Sequence, residues 1–196
     1  MRLLIDDVFD LLRLRVKPLA AYQYPLWQPA LLLTVLGLIS SGGTAELGGN
    51  IAGRIAYMVL FTWLETWFFT RFITFWLRLG KGEVAGSLFG LVVVASGLQF
   101  IEPLTSWLPE DVAAGVDMLL SLVGLVVLVN ALSTVSGVSK LRVLAGVVLF
   151  APLALVLLAA TLSLANALGW VELPADMVAM MQEKGVASGG AAAIAK

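Results

Sequence analysis

Five stretches of this chain, at about 25–41, 52–79, 84–101, 113–132 and 141–168, are apolar enough and long enough to leave few folds open to it. A helix needs about 20 apolar residues to cross a hydrocarbon layer of about 30 Å. Within lipid the backbone must satisfy its own hydrogen bonds, which selects helices for such segments. Composition agrees: 60% of residues are apolar, 13% are charged and the mean hydropathy is +0.99. A soluble domain holds about 45–50% apolar and about 25% charged residues. The expected fold is therefore all-α, an integral membrane helical bundle with an N-terminal amphipathic helix and five transmembrane helices. It forms one membrane domain over 1–170, followed by a polar, small-residue tail over 171–196 that is expected to be mobile.

Residues 2–17 read as the amphipathic helix. Leu4, Val8, Leu11 and Leu12 recur at helical spacing, the charges fall mostly on the other side, and Pro18 ends the ladder. Such a helix is expected to lie at the membrane surface as an interfacial helix; the alternative is packing on a partner or on its own bundle. Asp6, Asp7, Asp10, Arg13, Arg15 and Lys17 interrupt the uninterrupted apolar run a secretory signal needs, so the segment reads as part of the mature protein. SGGTAELGGN, Gly80-Lys81-Gly82 and EPLTSWLPED separate the first four spans, and Pro152 predicts a kink in the fifth.

Basic residues set the direction. With five spans, Arg2, Arg13, Arg15, Lys17, Arg71, Arg78, Lys81, Lys140 and Arg142 fall on one side, and only Arg54, Lys184 and Lys196 on the other. The positive-inside bias then puts the N-terminus in the cytoplasm and the C-terminus opposite. A four-span alternative would make the third and fourth stretches a re-entrant pair.

Several activities are disfavoured by what the chain lacks. It has no histidine and no cysteine, so the commonest general base, the thiolate nucleophile and the commonest soft-metal ligands are missing. No residue set resembles a catalytic, cofactor or metal site, and no cofactor is expected. A net charge of −1 without a long basic run gives no footprint for nucleic acid.

The possible intramembrane polar site is Glu65, midway along the second span, with Asp117 near one end of the fourth. A carboxylate at mid-membrane depth costs about 2.5–3.5 kcal/mol on insertion scales, so Glu65 should face the bundle or a wet cavity. It is either an ion or proton site or a structural carboxylate. Arg71, Arg78 and Lys81, with Trp63, Trp67 and Trp76, are expected to contact lipid headgroups or a partner. Gly86 and Gly90 form a GxxxG pair suited to close helix packing, and Gln99 and Asn130 can link helices by hydrogen bonds.

The layout resembles the Yip family of Rab-interacting membrane proteins, in its bacterial branch. The residues that carry the resemblance are DDVFDLLRLRVKP before the first span, GSLFGLVVVASGLQFIEPLTSWL for the third and its exit, and VLVNALSTVSGVSKLRVLAGVVL between the last two, within roughly 5–165. The resemblance implies five spans, a cytoplasmic N-terminus, a bacterial inner membrane and no active site; eukaryotic members bind prenylated Rab GTPases and shape or traffic membranes. The sequence thus predicts a non-enzymatic scaffold or accessory subunit, in contact with the bilayer and with a membrane protein partner or further copies of itself. The alternative is a small ion or solute transporter using Glu65.

Overall fold

The computed structural model describes residues 2–48, 50–80, 84, 86–101, 107 and 109–172. Among them there is helix and no strand. The helices are α1 (Arg2–Leu12), α2 (Trp27–Gly42), α3 (Ile51–Leu79), α4 (Phe89–Ala95), α5 (Glu110–Ser136) and α6 (Lys140–Ala167). Short 3-10 turns cover Leu19–Tyr22 and Ala45–Leu47, and a third, Ser96–Ile101, prolongs α4. Lys81 and the tail from 173 lie outside the described residues.

At 1.5 Å per residue α3, α5 and α6 reach about 43, 40 and 42 Å, while α2 reaches about 24 Å. The described residues contain two helices that are long and apolar enough to cross a membrane, Val112–Ser136 and Lys140–Ala167, with mean hydropathies of 2.5 and 2.7. α3 is as long but carries Arg54, Glu65, Arg71 and Arg78. α4 with its 3-10 extension spans only about 22 Å. The sequence predicts a helix from residue 84; it starts at Phe89, because Gly86 and Ser87 form a bend in which the Ser87 hydroxyl accepts the Phe89 N–H at 3.2 Å.

α1 packs on the bundle, the alternative to the interfacial placement expected for it. Leu4 and Leu11 are buried, and Val8 meets Gly97 of the 3-10 extension. It ends at Leu12, short of the expected 17, in a Schellman turn: Leu14 and Arg15 donate their N–H groups to the carbonyls of Leu11 and Asp10, with Leu14 in the left-handed region at φ 58°.

The core is built around α4, where Leu91, Val93 and Val94, with Leu88 just before the helix, are almost wholly buried. α2 and α3 form an antiparallel hairpin that closes tightly at Gly37, where an added Cβ would stand 2.6 Å from Val59 Cα. α3 joins α6 through Phe69 and Phe150, edge to face at 5.1 Å, and through Gly146, which leaves room for the Trp76 ring. α6 stays helical through Pro152.

These contacts sort the helix termini into two ends. At one end Gly90 meets Tyr22, Gln23 donates to the Ser87 carbonyl at 2.9 Å, and Gly80 meets Arg142. At the other, Asn50 donates to the Gly169 carbonyl and Glu172 N–H to the Leu47 carbonyl, both at 2.9 Å. The starts of α2, α4 and α6 and the end of α3 thus share one end, and the end of α2, the start of α3 and the end of α6 share the other.

Candidate functional site

Glu65 sits on α3 facing inward, on the wall of a cavity of about 360 Å³ between α2, α3, the 3-10 extension, α5 and α6. Five other polar side chains line it: Ser40 from α2, Thr62 and Thr66 from α3, and Ser96 and Gln99 from the extension. The remainder is apolar and includes Leu33, Leu36, Phe69, Leu128 and Phe150. Among the described residues no side chain donates a hydrogen bond to the Glu65 carboxyl or forms an ion pair with it.

The hydroxyls have a defined polarity. Thr62 and Thr66 donate to the carbonyls of Met58 and Thr62, each at 2.8 Å, and Ser96 donates to Val92 at 3.1 Å. Thr70 and Thr74 continue the pattern, so four threonines at a spacing of four turn their protons back onto α3. This satisfies the hydroxyls within the helix and leaves the oxygens of Thr62 and Thr66 as acceptors on the cavity wall, Thr70 and Thr74 lying outside it. With the carboxyl, the lining is rich in acceptors, and the Gln99 amide and the Ser40 hydroxyl are its side-chain donors. Such a lining suits a proton or a small cation better than an anion.

A second cavity of about 240 Å³ adjoins the first, sharing Ser96, Gln99 and Leu128 and adding Ser121 and Gly124 of α5. Asp117 is exposed and lies one turn before Ser121 on the same α5 face. Asp117 lines neither cavity, so the two carboxylates are not brought together. Arg54, on α3 like Glu65, turns away and donates to the Thr44 carbonyl at 2.9 Å. Among the described residues no three His, Cys, Asp or Glu side chains come together as metal ligands.

The expected headgroup residues divide. Trp63, Trp67, Arg71 and Arg78 line a groove of about 670 Å³ near one end of α3, with the Arg71 guanidinium 5.5 Å from the centre of the Trp67 ring. Trp76 turns the other way: its N–H donates to the Arg142 carbonyl at 2.9 Å, and the Arg142 guanidinium covers its ring at 5.6 Å. Gly86 and Gly90 do not share a helix face, because only Gly90 is helical. Both pack on the segment before α2, Gly86 against Leu19 and Gln23, and Gly90 against Tyr22 and Tyr24.

Ser40, Ser96 and Ser121 do not stand out in the sequence. Ser96 and Ser121 are lone small polar residues in apolar runs, Ser40 merges with the SSGGT end of α2, and which way each faces depends on helices distant in sequence. The chain matches no family model, no curated protein and no solved structure.

Proposed function

We propose that this is an integral membrane protein in which α2 to α6 make five crossings, and that it works without catalysis as a scaffold or accessory subunit organising a membrane complex or membrane shape. The observation that carries this reading is the bareness of α5 and α6. Of their most apolar stretches only 11% and 17% are buried within the chain. Met118, Leu119, Val126, Val148, Leu155 and Val156 are each more than half exposed. A core helix of a water-soluble domain would be covered; these are left for lipid or for another protein.

The sorting of helix ends supports the count. Arg15, Lys17, Arg78, Lys140 and Arg142 gather at the end that holds the start of α2, the cytoplasmic side under the positive-inside bias. The resemblance to the Yip family points to the same layout, in a bacterial inner membrane with the N-terminus cytoplasmic. The test is alkaline extraction of membranes followed by native pull-down in mild detergent. Retention in the membrane and a reproducible protein partner or self-association are expected. Release by alkali removes the membrane reading; migration as a lone chain at every detergent level removes the scaffold.

The acceptor-rich cavity favours a second reading, passage of a proton or small cation past Glu65. Glu65→Gln keeps size and hydrogen bonding while removing the charge. Cation flux in vesicles that this variant abolishes supports transport; no flux in the unsubstituted protein sinks it.

A further inference from the structure

The groove lined by Arg71 and Arg78 belongs neither to the scaffold surface of α5 and α6 nor to the Glu65 cavity. It is the larger space, about 670 Å³ against about 360 Å³. Its floor is α3, and its far wall is the bend before α4, with Ser87, Leu88 and Phe89. We propose that it binds the phosphate headgroup of an anionic phospholipid, with an acyl chain laid along its aromatic side.

Register places the charges. Arg71, Thr74 and Arg78 follow one another at spacings of three and four, on one face of α3. Along the axis Arg71 lies about 4.5 Å on one side of Thr74 and Arg78 about 6 Å on the other. Helical side chains lean towards the N-terminus, so Arg78 reaches back towards Thr74 while the Arg71 guanidinium lies further along the same face, over Trp67; the phosphate is placed between the two charges. Ser87 stands across the groove. Its oxygen accepts the Phe89 N–H, and among the described residues nothing accepts its own proton, which is then available to a ligand oxygen. The Thr74 hydroxyl is already given to the Thr70 carbonyl at 2.6 Å, so it contributes bulk and not a donor.

The apolar half of the groove decides between a lipid and a free phosphate. Leu26, Trp63, Trp67 and Phe75 run beside the arginines; Leu26 is 81% exposed and Phe75 62%. A small anion would leave that surface bare, whereas a phospholipid covers it while its phosphate meets the guanidinium pair. Trp67 also holds the Arg71 guanidinium over its face, which limits its freedom before a ligand arrives.

The inference rests on membrane insertion, which is checked on the same sample by retention after alkaline washing. The full chain is placed in phosphatidylcholine vesicles containing brominated phosphatidylglycerol or, separately, brominated phosphatidylcholine. Quenching of tryptophan fluorescence is then measured, since Trp63 and Trp67 border the groove. Stronger quenching by the anionic lipid is expected, with an apparent preference that falls about fivefold for each arginine removed in Arg71→Gln and Arg78→Gln. Arg142→Gln, at the same end but outside the groove, should keep the preference. Equal quenching by the two lipids in an inserted protein overturns the proposal, as does a preference that survives the double substitution. Relief of the quenching by millimolar inorganic phosphate at constant ionic strength overturns the lipid in favour of a soluble anion.

Discussion

Lys17 Nζ lies 2.6 Å from one carboxylate oxygen of Asp7, ten residues earlier in the chain, and 2.8 Å from Asp10. Asp7 is buried, 4% exposed, and its second oxygen accepts the hydroxyl of Tyr24. The Lys17 N–H donates to the Tyr22 hydroxyl at 3.1 Å. One buried carboxylate thus ties the end of α1 to the segment that leads into α2. Tyr24→Phe leaves the shape and removes one donor to a charged acceptor. We expect a loss of about 1.5–3 kcal/mol, read from thermal unfolding in detergent. An unchanged midpoint would mean that the tie has no energetic weight.

The same cluster gives a pH dependence. Hydrogen bonding to Lys17 holds the Asp10 carboxyl below its ordinary value, helped by the charges of Lys17, Arg15 and Arg13. Hydrogen bonds to Asp10 and Asp7 raise the Lys17 ammonium above its own. The depressed carboxyl contributes stability above its unfolded pKa of about 3.9, lost as pH falls through the lower folded value. The raised ammonium contributes below about 10.4, lost only as pH climbs through the higher folded value. The cluster's contribution is therefore flat from about pH 5 to 9 and declines below about 4. Lys17→Met should flatten the acid limb of the unfolding midpoint against pH, and an acid limb unchanged in that variant would contradict the assignment.

Two glycines should respond to alanine with opposite signs. A Cβ at Gly90 would overlap the Tyr22 carbonyl oxygen, which is backbone and cannot swing aside. Overpacking of this kind costs about 1–3 kcal/mol. Gly115, inside α5, has no atom of the described residues within 4 Å of an added Cβ, so alanine there gains up to about 1 kcal/mol of helix propensity. A lower unfolding midpoint for Gly90→Ala and an equal or higher one for Gly115→Ala are expected. Equal effects would mean that α4 does not press on the segment before α2.

Trp76 and Trp67 are alike in sequence, both in an aromatic stretch of α3, and differ in what they touch. Trp76→Phe gives up the hydrogen bond to the Arg142 carbonyl and weakens the stacking of that guanidinium, together about 1–2 kcal/mol. Trp67→Phe, with a ring 47% exposed, should cost less than about half as much. Comparable losses from both would place Trp67 in a packed contact instead of on the groove.

The sequence revealed single helices better than their partners. The long apolar runs of α3, α5 and α6 are bounded by Gly80, Gly137 and Gly169, and their limits could be drawn to within a few residues for α3 and α6. α5 runs further at both ends, because Pro109 starts it ahead of the apolar run and small polar residues sustain it to Ser136. The start of α4 was hidden because residues 84–95 are nearly continuous in apolar and small side chains, which gives no period to read. Amphipathicity identified the apolar face of α1 but not its cover, since lipid and Gly97 of the bundle ask for the same leucines and valines. For Glu65, depth along α3 was legible; its companions Ser40, Ser96 and Gln99 come from other elements, and only tertiary packing unites them.

The absence of cysteine from all 196 residues makes the topology directly testable with single cysteines introduced into an otherwise unreactive chain. Gln23 and Ser139 are exposed at the end that holds the starts of α2 and α6, and Glu46 is exposed at the opposite end. Trp107, 85% exposed, precedes α5. α5 returns to Ser139 after about 40 Å of helix, which puts Trp107 at the Glu46 end. A membrane-impermeant maleimide applied from outside intact cells should therefore label Glu46→Cys and Trp107→Cys, and reach Gln23→Cys and Ser139→Cys only after permeabilisation. The decisive site is Trp107. Under five crossings, the short α4 and its 3-10 extension carry the chain from the Gln23 side to the Glu46 side, so Trp107 labels with Glu46. If α4 instead dips into the bundle and returns, Trp107 labels with Gln23, α5 crosses in the opposite sense, and Ser139 moves to the outside. That outcome would leave the membrane reading in place and reverse both the five-span count and the packing of α6 against α3 through Trp76 and Arg142.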